Sequence, residues 1–269
     1  MPTMVVVIGM GQSSATASKQ GILDAIVDQH VAVVSEIAKK YAARNWHFPG
    51  YVYIDATAGC GDNVEVGVMG SPRIFHTKIQ ASGLPYRCHL IDREPVNTQA
   101  LQKIFSNDPC VQIYCGDHRT VLRDILQTLD ERPFGILYFD PNGVPDFGLI
   151  EEVCKKQAFE KVDVLIRFSA TAVKRVRGAF GRRSVKESLE SIGKTNWLIG
   201  VGAHGDPWQS TFAFGLNHSI SEYTRTGLYS IGSVRGESIL RQINYTAKER
   251  ESRLPGQTNL YEFSRRVSV

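Results

Sequence analysis

Little in this sequence could staple a fold from outside. The five cysteines, Cys60, Cys88, Cys110, Cys115 and Cys154, are odd in number and include no CxxC pair, which argues against a disulfide framework and a zinc ribbon. A reduced, cytoplasmic compartment is expected, with no metal. No apolar run approaches the roughly 20 residues of a membrane span, and the first residues lack the basic, apolar, small-residue layout of a signal peptide. Neither sign of charge dominates: Lys and Arg number 31 against 27 Asp and Glu, a net charge of +4, too mild to demand a polyanionic partner. Its placement is uneven, however. Residues 171–186 hold Lys174, Arg175, Arg177, Arg182, Arg183 and Lys186 and no acid.

What remains is an ordinary globular chain of 269 residues, 42% hydrophobic and 22% charged, long enough to bury a core unaided. Apolar spacing at Ile22, Ile26, Val33, Ile37 and Tyr41 predicts a long amphipathic helix from about Gly21 to Asn45. Strands and helices then alternate. Strands are expected at 51–56, 86–92, 111–117, 134–140 and 162–169, with a helix opening at an N-cap Ser71 and Pro72. Such alternation means a parallel sheet covered on both faces. Two further apolar runs, 196–203 and 209–218, read as a hairpin, so a sheet of seven strands is expected, five parallel and two forming a terminal antiparallel hairpin, followed by a strand-like run at 222–232 and a helix over 236–252. The expected division is an N-terminal arm and helix (1–48), a core (49–218) with a basic insert at 171–195, and a C-terminal extension (219–269).

Two glycine loops compete for a nucleotide-like ligand. "VVVIGMGQSS" offers Gly9 and Gly11 but has Ser14 at the third position and no acid-tipped strand about 20 residues later, so a dinucleotide fingerprint fails there. "YIDATAGCG" is better, because Asp55, Ala58, Gly59 and Gly61 follow a strand and the next strand ends at Asp92 and Arg93. Gly116 and Asp117 end the third strand, and Asp140 the fourth. A row of carboxylates would repel a pyrophosphate, so a phosphate-free, positively charged cofactor fits better. Taken singly, each acid also reads as a helix N-cap or a strand-end residue.

With "GSPRIF", "LIDRE", "CGDH" and "YFDPNG" beside that loop, residues 51 to about 218 resemble the class I S-adenosylmethionine-dependent methyltransferases. More narrowly they resemble the three-Cys-motif partner proteins, bacterial and phage relatives of DNA amino-methyltransferases. The resemblance implies a Rossmann-like sheet that binds S-adenosylmethionine, with Asp55, Gly59 and Gly61 around the methionine part. Asp92 would hold the ribose and Asp117 the adenine amino group, with Ala58, Arg93 and Gly116 alongside. Asp140, Pro141 and Asn142 fall on the Asp-Pro-Pro-aromatic motif, where a carboxylate and a backbone carbonyl align an exocyclic amino group. Asn142 and Gly143 depart from it, so Phe139, Phe147 or Trp208 would have to provide the face on which a flipped base stacks.

The substrate expected is a nucleic-acid base, adenine N6 in DNA before RNA, gripped through Lys174, Arg175, Arg177, Arg182 and Arg183. Three rivals stay open: an RNA base methyltransferase, a cofactor-binding partner subunit with little activity, and a small-molecule methyltransferase. Trp197, His204 and Phe180 would stack or fill core.

Overall fold

The computed structural model describes residues 16–63, 67–129, 132–141, 143–176, 184–200, 210–217 and 223–244. Helix α1 (Thr16–Ala43) opens the described chain. Its buried stripe is Leu23, Ile26, Val27, Val31 and Val34, one helical step round from the stripe the sequence suggested. That stripe also carries His30, and Asn45, at φ 53, turns the chain out of the helix.

Strand β1 (Tyr51–Asp55) follows, buried at every residue. A short hairpin of β2 (Asp62–Asn63) and β3 (Val68–Met69) leads into α2 (Ser71–Ser82). The extended residue before α2 is Gly70, so the N-cap falls one residue earlier than expected. Ser71 is drawn off because its hydroxyl donates to Asp55 instead (2.7 Å).

The alternation continues through β4 (Tyr86–Asp92), α3 (Pro95–Ile104), β5 (Val111–Cys115) and α4 (His118–Thr128). Next come β6 (Phe134–Phe139), α5 (Phe147–Cys154) and β7 (Val162–Ser169). Local chemistry sets several of these boundaries: Pro95 starts α3, and the Asp117 and Asp146 side chains cap α4 and α5. Two short helices, α6 (Ala170–Val176) and α7 (Val185–Ser191), precede β8 (Asn196–Gly200) and β9 (Ser210–Leu216), and Ser184 and Glu187 close a capping box on α7. Strand β10 (Leu228–Ser230) and α8 (Val234–Asn244) end the described chain.

Eight strands form one sheet in the order β10-β8-β9-β7-β6-β1-β4-β5. β5, β4, β1, β6 and β7 run parallel, while β9 is antiparallel to both β7 and β8. That is the Rossmann-like class I methyltransferase sheet, with one strand more than the seven expected. β10 adds antiparallel to β8 and pairs Leu228 with Gly200. A methyl on Gly200 would stand 3.0 Å from the Leu228 Cδ2, so the bare residue leaves room for a buried leucine that covers an otherwise open apolar edge.

Helices cover both faces. α1, α2 and α3 pack Leu23, Ile26, Phe75, Ile79 and Leu101 on one side. On the other, α4, α5, α7 and α8 pack Leu122, Ile150, Leu189 and Ile239. Among the described residues no helix is long and apolar enough to cross a membrane.

α1 is also pinned by polar contacts. His30 Nδ1 lies 2.6 Å from the Tyr51 hydroxyl and Nε2 lies 3.1 Å from the Asp163 carboxylate, all of them buried. Asp163 accepts in addition from the backbone N–H of Asn217 (3.3 Å). Asp163→Ala leaves the buried His30 ring nitrogen without its partner and is expected to cost about 3 kcal/mol, read as a lower urea midpoint. An unchanged midpoint would mean that water replaces the carboxylate.

Candidate functional site

In an open parallel sheet, ligands bind beyond the carboxyl ends of the strands, where the strand order reverses. Here that point lies between β1 and β6. After β1 the chain builds β4 and β5 on one side and then returns to place β6 on the other. Asp55 ends β1, and Asp140 follows the last residue of β6. The Asp140 N–H donates to the Thr57 hydroxyl (2.8 Å), joining the two strand ends.

Asp55 lies beneath the loop rather than on its surface. It is fully buried, accepting from the Tyr53 hydroxyl (3.0 Å), the Ser71 hydroxyl (2.7 Å) and the Thr57 N–H (3.1 Å). Burial pushes its carboxyl up to about 6, against those three hydrogen bonds. Its role here is to tie α2 and the loop to β1.

The loop above it runs through Ala58, whose N–H donates to Ile91, and Gly59, whose N–H donates to Asp92 (2.9 Å). Gly59 and Gly61 both have positive φ, 63° and 86°, but they are bare for different reasons. A methyl on Gly59 would meet nothing within 4 Å. On Gly61 it would stand 2.9 Å from Ile104 Cδ1 and 3.0 Å from Leu101 Cδ2. Gly59 therefore faces open space, and Gly61 lets α3 close over the loop.

Asp92 is the hub of this edge. Besides Gly59 it takes the Glu94 N–H (2.8 Å) and the Asn97 side-chain amide (3.1 Å), while its backbone carbonyl takes the Gly116 N–H (3.0 Å). A carboxylate has about four acceptor sites, so capacity remains on Oδ2. Asp117 is exposed, and its Oδ1 caps α4 by accepting from the Arg119 N–H (2.7 Å). Arg93 is solvent-facing and pairs with Glu94 (3.0 Å).

Asp140 has company that no sequence pattern announced. Lys19, from the first turns of α1, forms an ion pair with Oδ2, and Arg167 from β7 donates to Oδ1 (2.8 Å). The Tyr138 hydroxyl adds a contact at 3.2 Å. Burial alone would raise the Asp140 carboxyl, but the Lys19 and Arg167 charges hold it below the ordinary carboxylate range. The one local clue was Arg167 itself, a charge in the otherwise apolar "VLIRFS" of a strand buried on both faces. Lys19 sits 121 residues from Asp140 and had no such signal. Next to Asp140, the carbonyl of Pro141 accepts from the Gly143 N–H (2.7 Å).

Two of the three expected stacking faces are buried. Phe139 is 1% exposed and Phe147 8%; both belong to the helix-covered core, and Phe147 meets Phe168 edge-on at 6.4 Å. Neither offers a free ring face, since alternation along β6 turns Phe139 inward and α5 packs Phe147 against the sheet. Trp197 is core too, lying over the bare Gly215. Lys174 and Arg175 occupy the last turn of α6, directly beyond the carboxyl end of β7. Asn142, Arg177, Phe180, Arg182, Arg183, His204 and Trp208 lie outside the described residues, as do Gly9, Gly11 and Ser14.

No protein-family model matches the chain and no curated protein matches it. Among solved structures, protein LPL1258 from Legionella pneumophila superposes with a TM-score of 0.53 at 13% identity, covering 76% of this chain and 87% of that one. The bifunctional kinase-methyltransferase WbdD gives 0.45 at 15% identity, over 74% of this chain and 40% of that one. A methyltransferase from Geobacter sulfurreducens gives 0.38 at 14% identity, over 69% and 88%. At 13% identity the likeness to LPL1258 speaks to the fold alone, and with the sheet order it supports a Rossmann-like class I methyltransferase fold.

Proposed function

We propose that this protein is an S-adenosylmethionine-dependent methyltransferase acting on an exocyclic amino group of a nucleic-acid base, with N6 of adenine in DNA as the first choice. The observation that carries the reading is the Asp140-Pro141 pair at the switch point, next to a glycine loop with open space before Gly59.

The residues present fit the cofactor. Gly59 admits a ligand against its backbone, Asp92 keeps acceptor capacity for a ribose hydroxyl, and Asp117 keeps one oxygen clear of its cap for an amino group. When bound, S-adenosylmethionine supplies a methyl already activated by positive sulfur. The chain's own work is then to position. Asp140 and the Pro141 carbonyl accept hydrogen bonds from the amino group and turn its lone pair toward the methyl. Held by two cations, Asp140 acts as an aligning acceptor rather than as the sink for the proton, which leaves to solvent. Lys174 and Arg175, together with Arg177, Arg182 and Arg183, would neutralise backbone phosphates. The Asp-Pro pair favours DNA over RNA by its likeness to the amino-methyltransferase motif.

A second reading, a cofactor-binding partner subunit with little activity, draws on the burial of Phe139 and Phe147, which leaves no ring among the expected stacking residues that are described. One experiment separates the two. Purified protein is incubated with methyl-labelled S-adenosylmethionine and, in turn, duplex DNA, single-stranded DNA and total RNA, and each nucleic acid is digested to nucleosides. Label in N6-methyladenine from DNA supports the first reading; label in none, with cofactor bound, supports the second.

The two glycines give a sharper check on the cofactor. Gly61→Ala is expected to cost about 2 kcal/mol or more of stability, because a strained φ and a crowded methyl act together. Gly59→Ala meets only the backbone cost, about 1 kcal/mol, and is expected to lose cofactor affinity instead. Denaturant midpoints and calorimetric titration with S-adenosylmethionine read the two losses separately. If Gly59→Ala binds as wild type does, the cofactor does not lie against this loop.

A further inference from the structure

One carboxylate with two cations is more than charge balance requires. Lys19 already neutralises Asp140 at Oδ2, yet Arg167 is spent on Oδ1. Arg167 also does something a lysine cannot. One terminal nitrogen of its guanidinium donates to Asp140 Oδ1 (2.8 Å), while the other donates to the Ser210 hydroxyl (2.9 Å). A planar fork holds two acceptors in a fixed relation, whereas an ammonium is a point charge on a flexible stem.

The sheet register explains how three strands meet there. Ile166 of β7 pairs with Phe139 of β6, so Arg167 lies level with Asp140. Across the other edge of β7, Arg167 pairs with Phe212 of β9, two residues from Ser210. The guanidinium thus spans β6, β7 and β9 at the carboxyl edge, the only point where the antiparallel hairpin is tied by a side chain to Asp140 among the described residues. Both partners are largely covered, with the side chains 23% and 13% exposed for Arg167 and Asp140.

We propose that Arg167 is a positioning residue of this site, fixing the plane of the Asp140 carboxylate and tying it to Ser210 at the start of β9. The proposal rests on the reading of Asp140 as the acceptor for the substrate amino group. With Lys19 on Oδ2 and Arg167 on Oδ1, the carboxylate cannot rotate about its Cβ–Cγ bond without breaking a charge-assisted hydrogen bond. Oδ2 already takes Lys19 and the Tyr138 hydroxyl, so the lone-pair capacity left for substrate is on Oδ1, beside Arg167. The groups facing Asp140 are Lys19 from α1, Arg167 from β7, Tyr138 from its own strand, Thr57 from the loop after β1, and the buried Asp55 beside it. Burial of Asp140 and the proximity of Asp55 oppose its charge, and the two cations favour it.

The test compares Arg167→Met, Arg167→Lys and Ser210→Ala in the full-length protein by two readouts. The first is the titration of the Asp140 carboxyl carbon by NMR, assigned by its disappearance in Asp140→Asn, which needs no substrate. Arg167→Met is expected to move that titration up by about one pH unit or more, and Arg167→Lys to restore it. The second is methyl transfer. Arg167→Met and Arg167→Lys are both expected to lower kcat by about tenfold to a hundredfold with cofactor affinity unchanged, and Ser210→Ala by less.

Either of two outcomes overturns the proposal: a titration and kcat in Arg167→Met equal to wild type, or a fall in melting temperature alone with the titration unmoved. If wild type transfers methyl to no substrate, the functional reading fails by itself, while the titration still decides whether Arg167 holds Asp140.

Discussion

Asp140→Asn is expected to slow methyl transfer by a hundredfold or more, about what removing one aligned transition-state contact costs, while cofactor binding stays within a fewfold of wild type. The amide keeps the shape of the carboxylate but replaces one acceptor oxygen by a donor. Lys19 and Arg167 then face an uncharged partner, and the substrate amino group meets a donor where it needs an acceptor. Stability falls as well. The two cations are 19% and 23% exposed, so water can take up part of the lost pairing, and about 1–3 kcal/mol is expected rather than the cost of a fully buried orphan charge. A folded variant with the wild-type rate would remove Asp140 from the chemistry. The same variant that lost rate only in proportion to its unfolded fraction would make Asp140 structural.

The second large effect is at Asp92. Its carboxylate takes the N–H groups of Gly59 (2.9 Å) and Glu94 (2.8 Å) and the amide of Asn97 (3.1 Å), so it shapes the loop and, in the proposed function, also holds a ribose hydroxyl. Asp92→Ala is expected to weaken S-adenosylmethionine binding by about tenfold to a hundredfold, the range for hydrogen bonds to a charged group. Asn97→Ala separates the two contributions, since it loosens the support without touching the ribose; about a threefold loss or less is expected, because Asp92 keeps the N–H groups of Gly59 and Glu94. Equal losses in both variants would mean that loop order accounts for the whole effect, and an unchanged Kd in Asp92→Ala would end the assignment of the ribose site.

Much of this fold could be read directly. β4 and β7 lie where the apolar runs put them, because strands in a covered parallel sheet are apolar on both faces and need no partner to be recognised. The same property hid the faces. β1 is buried at all five residues, so nothing local told that Asp55 turns inward to Tyr53 and Ser71 whereas Asp92 borders the loop. Along α1, apolar residues on more than one side left the buried stripe one step out, and His30 unnoticed. β10 falls inside the strand-like run at 222–232, but its place in the sheet was not legible there, since the pairing of Leu228 with Gly200 is made only when the hairpin is already in place.

The glycine loop, the acid-tipped strands and the Asp-Pro pair were all written in sequence, because each depends on neighbours a few residues away: a turn, a cap, a strand end. The sequence by itself therefore determined the alternating architecture and the edge at which a site would be found. Only the tertiary structure decided the electrostatics of that site. Lys19, Asp140 and Arg167 belong to α1, β6 and β7, and their meeting is a consequence of sheet order and helix packing. A carboxylate's charge state and orientation depend on what lies within a few ångströms in space, and that distance is not encoded in any local run of residues.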